Sequence, residues 1–106
     1  MIKFVALWNL PPGMSAAEFE RWYEEQHIPD ARRIPGLRRY TVNRAADGQE
    51  GAQRYYRMAE LSFDSLEAVE EAMRSPEWQH AFADARDKIA DHTRLYFESR
   101  EIDLAP

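Results

Sequence analysis

Cysteine is absent from the 106-residue chain, which excludes disulfides, thiolate metal sites and a cysteine nucleophile and leaves the redox compartment open. Glycine is scarce: Gly13, Gly36, Gly48 and Gly51 all fall in expected turns, and none opens a helix after a strand. A phosphate-cradling or dinucleotide-binding loop is therefore missing. No apolar run approaches membrane-spanning length, and residues 1–10 lack the longer apolar stretch and small-residue cleavage site of a signal peptide, so a cytosolic protein without a membrane partner is expected. Fourteen Lys and Arg stand against nineteen Asp and Glu, a formal charge of −5, and the basic residues are scattered among acidic ones. No stripe suits a nucleic acid backbone. Three histidines without a close pair, and with no carboxylate at a ligand interval, give no metal signature, and no metal or other cofactor is expected.

What is present is enough for one core. With 44% hydrophobic residues, residues 1–106 read as a single domain. Residues 2–10 (IKFVALWNL), closed by Pro11-Pro12-Gly13, read as a buried strand. Ile2, Phe4, Ala6 and Trp8 lie on one side and Val5 and Leu7 on the other, so both sides need a cover. Ser15 with Glu18 forms a capping box, and Phe19, Trp22, Tyr23 and Gln26 recur at helical spacing, predicting a helix over 16–28 that Pro29 ends. Residues 37–44 form strand two. The Asp47-Gly48 pair and Gly51 mark residues 46–53 as a hairpin loop, and strand three follows over about 54–63.

Asp64 or Ser65 caps a second helix with Leu66, Val69, Ala72 and Met73 as its buried stripe. Ser75-Pro76-Glu77 breaks and restarts it, carrying Trp78, Ala81, Phe82, Ala85 and Ile89 inward. Residues 94–102 form strand four, with Leu95 and Phe97 opposite Tyr96. The order β-α-β-β-α-β is the ferredoxin-like α+β arrangement, a four-stranded antiparallel sheet with both helices on one face. Apolar groups on the uncovered face of strands one, three and four predict a homodimer packed sheet against sheet.

In this order, Phe19-Glu20-Arg21-Trp22-Tyr23, His27-Ile28-Pro29, Pro35-Gly36-Leu37, Phe63-Asp64-Ser65-Leu66-Glu67-Ala68 and Ser75-Pro76-Glu77 with Asp84 resemble the EthD-type dimeric α+β barrel proteins. These are relatives of methylmuconolactone isomerases and of cofactor-free polyketide oxygenases and cyclases. The resemblance covers nearly the whole chain and implies a barrel dimer with one pocket per subunit between sheet and helices. Asp87 and Lys88 depart from the Asn and aromatic residue many such proteins carry there, and Trp78 fills a place that is often small. Ligands would be sorted at those positions.

His27 lies one turn after Tyr23 and about 80° from Phe19 on a helical wheel, the flank of the buried face, where it can reach a pocket. A helix C-terminus favours the imidazolium and burial favours the neutral ring; either form passes a proton, and a capping or packing role is the bland reading. The resemblance makes Asp84 the second polar position, orienting His27 or acting as a base, although helical spacing puts it about 120° from the apolar stripe, where a solvated residue belongs. His92 projects near the inward side at the end of its helix, or else lies in the loop before strand four. Trp8, Tyr56 and Tyr96 are candidates for the pocket lining, with Tyr23 and Trp78 beside them, so the ligand is a small apolar or aromatic molecule.

Two classes of function fit. One is a cofactor-independent enzyme acting by proton transfer, an isomerase, cyclase or lyase for a cyclic, lactone-like or aromatic molecule, or a cofactor-free oxygenase. The other is non-catalytic: an accessory protein that binds a hydrophobic intermediate of a degradative oxygenase, or a purely structural dimer.

Overall fold

A computed structural model describes residues 1–46 and 55–105. The elements are β1 (Ile2–Asn9), α1 (Ala16–Trp22), a π-helical turn (Tyr23–His27), α2 (Ile28–Ala31), β2 (Arg39–Arg44), β3 (Arg57–Phe63), α3 (Leu66–Met73), α4 (Pro76–Ala85) and β4 (Ala90–Glu98). The strands form one antiparallel sheet in the order β2-β3-β1-β4. This is the ferredoxin-like βαββαβ fold, with the second helical layer split at Ser75. The hairpin loop expected over 46–53 and the start of strand three at Arg54 fall, apart from Ala46, outside the described residues. No helix among the described residues is long and apolar enough to cross a membrane.

Local chemistry explains the helix starts. Ser15 Oγ accepts from the Glu18 N–H at 3.1 Å, Ser65 Oγ from Ala68 at 3.1 Å and Ser75 Oγ from Trp78 at 3.1 Å, each satisfying a donor that the first turn leaves open. Pro76 stands at the start of α4, where no amide donor is needed.

Pro29 does not stop the first helix. The turn before it widens, with Ile28 N–H donating five residues back to Tyr23, and the helix runs on to Ala31. A widened turn relieves the clash between the proline ring and the carbonyl one turn earlier, and Pro29 then sits in the first turn of α2, where its missing N–H is no loss.

The last strand also differs from expectation. It spans Ala90–Glu98 rather than 94–102, because its partner is β1: Asn9 pairs with Ala90 and Ile2 with Glu98, and beyond Ser99, bonded to Met1, β1 offers no further partner. His92 is thus a strand residue. Strand two begins at Arg39 rather than Leu37, after Gly36 has turned the chain at φ +80°.

Phe4, Ala6 and Trp8 face the helices, joined by Ala59, Leu61 and Phe63 from β3. Phe19, Trp22 and Tyr23 from the first helical layer and Val69, Ala72, Trp78 and Ala85 from the second complete the core. The outer face carries Val5, Leu7, Met58, Leu95 and Phe97, the last two 41% and 49% exposed. It is less apolar than expected: β3 adds Glu60 and Ser62 beside Met58, and Glu60 pairs with Lys3 at 3.1 Å and accepts from Asn43 at 3.0 Å.

Candidate functional site

Between the sheet and the helices lies a narrow apolar cavity with about 30 Å³ of free volume, room for about two waters. Strands β1, β2 and β3 contribute Phe4, Ala6, Trp8, Tyr40, Ala59 and Leu61; the first helical layer contributes Trp22, Tyr23, His27 and Ala31. Phe82, Ala85, Ile89, His92 and Arg94 form the remaining wall and also border a larger outer cavity of about 310 Å³, reaching Met73, Trp78, Gln79 and Arg86.

The π turn positions the inner site. Tyr23 opens it and His27 closes it, and both are buried. Their rings stack at 5.4 Å and 14°, with Trp22 at 5.0 Å from His27 and Phe82 presenting an edge at 6.4 Å. Trp8 lies 5.7 Å from Tyr23 on the sheet side.

Three polar atoms stand out in this aromatic surround. Trp8 Nε1, Tyr23 Oη and His27 Nδ1 are buried and have no hydrogen-bond partner among the described residues, and all three residues line the inner cavity. Buried polar atoms are nearly always paired, so three orphans around one cavity mark a place prepared for polar atoms of something else. Tyr40 lies near enough to Tyr23 to affect its ionisation, but no hydrogen bond of regular geometry joins them.

Burial settles the protonation states. It holds the His27 pKa below 6.5, against the opposing pull of Asp84, Asp30 and the Ala81 carbonyl, so the ring is neutral at pH 7. The helix-end effect that favours the imidazolium does not apply at His27, since the helix continues past it. Burial also raises the Tyr23 hydroxyl far above its usual range and Tyr40 to about 12, so both remain protonated donors.

The other candidates divide. Trp8, Tyr23 and His92 line the inner cavity; Trp78 lines only the outer one. Asp84 borders neither: it accepts from Trp22 Nε1 at 2.8 Å and influences His27 only through its charge. Tyr56 does not line the pocket, because its hydroxyl donates to Glu20 at 2.8 Å while its ring meets the edge of Phe19. Tyr96 is 48% exposed and lines neither cavity; its hydroxyl donates to Met73 Sδ, at the rim of the outer one, at 3.6 Å. Among the described residues no group of three or more His, Asp or Glu is placed to hold a metal ion.

Residues not singled out from sequence include Tyr40 and Arg94. Tyr40 shares a strand face with Val42, a pattern that signals inward placement. Arg94 carries the same signal, since alternation puts it on the face of Tyr96, and its pairing with Ala6 sets it on the helix-covered side. Arg57 is a third: only 7% exposed, it forms an ion pair with Glu20 and stacks its guanidinium over the Tyr23 ring at 4.7 Å.

The helix-covered ferredoxin-like sheet, here enclosing a histidine in an aromatic cavity, puts the chain among the ferredoxin-like α+β proteins. The EthD domain pattern matches residues 11–93, and the chain belongs to the EthD family. An EthD family protein of Bacillus halodurans is 31% identical, with a TM-score of 0.84 over 94% of this chain and 99% of that one. An uncharacterised 11.0 kDa protein from the thcB–thcC intergenic region of Rhodococcus erythropolis is 26% identical over 95% of this chain and 96% of its own length. SnoaB of Streptomyces nogalater, a cofactor-independent oxygenase, shares the fold at 19% identity, TM-score 0.73, over 98% and 97% of the two chains. Other structural neighbours of this fold are dimeric.

Proposed function

We propose that the protein is a cofactor-independent enzyme in which His27 moves a proton to or from a small cyclic or aromatic molecule. The observation that carries this reading is the trio of unpartnered atoms around one cavity. A neutral imidazole offers a lone pair that takes a proton from an acidic carbon, and the Trp8 N–H and Tyr23 O–H are two donors suited to the oxyanion that then develops. An enolisable ketone or lactone presents this complement, one acidic C–H beside one carbonyl oxygen. The inner cavity admits only the reacting edge of such a molecule; its body occupies the outer cavity. Isomerisation, cyclisation and elimination all begin with this step.

A second reading keeps the proton transfer and adds oxygen: a deprotonated phenolic ligand reacts with O2 directly. Its support is the fold shared with SnoaB. The third is an accessory protein that holds a hydrophobic intermediate. In every case the protein works as a homodimer through the outer sheet face, where Leu95 and Phe97 lie exposed beside Val5 and Leu7.

The test is deuterium exchange at carbon, followed by NMR across a panel of cyclic ketones, lactones and phenols, with and without oxygen. Catalysed exchange that His27→Ala abolishes, in a protein that light scattering shows at twice the chain mass, is the expected result. Exchange at an undiminished rate in His27→Ala ends the assignment. Binding without exchange favours the accessory reading, and consumption of O2 the oxygenase.

A further inference from the structure

The outer cavity has a charge pattern of its own. Arg86 and Arg94 line it together with His92 and Gln79, and among the described residues no Asp or Glu borders either cavity. In a chain with five more acidic than basic residues, a mouth lined by cations alone is a local inversion of the overall charge. Neither arginine has an ion-pair partner among the described residues, whereas Arg38, Arg44 and Arg57 each have one. Arg94 rests instead on the face of Phe82, 5.0 Å from the ring centre, which leaves its fork of N–H donors unclaimed by any described carboxylate.

The backbone is arranged to deliver these groups. Between Leu7 and Asn9 the register of β1 against β4 slips: Leu7 pairs with Thr93 and Asn9 with Ala90, so two residues of β4, Asp91 and His92, oppose Trp8 alone. Asp91 takes up the extra length at φ +52°, a left-handed conformation that costs a non-glycine residue energy. This bulge lets Ala90 stay paired, and His92 and Arg94, two residues apart on one face of β4, both line the cavities. Phe82, between them and His27, is common to both cavities and touches His27 with its edge.

We infer that the outer cavity is an anion subsite, centred on Arg94 with Arg86 beside it, and that the ligand is an aromatic or alicyclic carboxylic acid. Its ring edge enters the inner cavity toward His27 while its carboxylate remains at the mouth. A planar guanidinium matches a carboxylate through paired N–H···O bonds, and the low polarity of the neighbouring aromatic wall strengthens them. This rests on the His27 cavity being a ligand site, as proposed above, and adds the charge of the ligand that enters it.

The experiment compares 2-naphthoate with its neutral amide, 2-naphthamide, by titration calorimetry on the dimeric protein. The expected result is at least roughly tenfold tighter binding of the acid, as an exposed charge-assisted pair supplies. Arg94→Gln should remove that preference by weakening the acid more than the amide, and Arg94→Lys should restore part of it. His27→Ala, by contrast, should leave the preference between acid and amide intact. Equal binding of acid and amide to the wild type overturns the anion subsite but leaves the apolar site standing. Failure of both probes to bind overturns the subsite together with the reading on which it rests. A preference that survives Arg94→Gln and also Arg86→Gln places the anion elsewhere and equally defeats the inference.

Discussion

Two polar groups of the first helical layer meet at the Tyr23 ring, and they are built on opposite rules. On one side Glu20 receives the buried Arg57 guanidinium, the Tyr56 hydroxyl at 2.8 Å and, more distantly, Arg44 at 3.9 Å. Burial raises the Glu20 pKa, but these partners outweigh it and hold the carboxyl below its usual value. Every strong group there is answered. On the other side Trp8, Tyr23 and His27 each bury a polar atom that no described group answers. The satisfied cluster joins α1 to the sheet and is architecture; the orphaned one lowers stability and, on the function proposed above, is retained for binding.

Breaking the satisfied side gives the largest effect. Glu20→Ala leaves the Arg57 charge buried without its counterion, and denaturant titration should show a loss of about 3 kcal/mol. On the orphaned side the sign reverses. Tyr23→Phe removes a hydroxyl that has no bond to lose, and stability should rise by up to about 1 kcal/mol in the same titration while ligand affinity falls. If Tyr23→Phe destabilises the protein instead, the hydroxyl has a partner and the contrast between the two sides fails.

The smallest effect sharpens the comparison through pH. Because burial lowers the His27 pKa, the folded protein binds fewer protons in acid than the unfolded chain does. Stability from this source is complete above the ordinary histidine value of 6.5 and is lost as the pH falls through the lower folded value. Glu20 behaves likewise only at more acidic pH, below 4.5. The first decline on acidification should therefore vanish in His27→Gln and persist in Glu20→Gln, as denaturation midpoints across that range will read.

The fold was legible because its signals are local: the capping serines, the alternation in β1 and the restart at Pro76 each act within a few residues. Helical spacing placed His27 one turn after Tyr23 on the flank of the buried face, whereas the π turn that closes it against Trp22 and Tyr23 left no local mark. What escaped depends on distant pairing. The ends of β4 are set by the length of β1, and the bulge at Asp91, which keeps Ala90 paired, exists only in relation to Trp8. Asp84 was read as a partner or base for His27 by resemblance; its bond to Trp22, contributed by a different helix, follows from how α4 packs against the first layer. Likewise, the Tyr56 hydroxyl is taken by Glu20, 36 positions away, which no periodicity reveals.

The π turn between Tyr23 and His27 gives the first helix a change of phase. One added residue rotates everything beyond it by roughly 100° relative to an unbroken helix. The stretch before the turn is thereby free to keep Phe19 and Trp22 in the core, while the stretch after it is angled independently, with Asp30 facing His80 on α4 at 3.1 Å. A scaffold jointed in this way can vary its reactive end by insertion or deletion at one point, leaving the packing that folds it untouched.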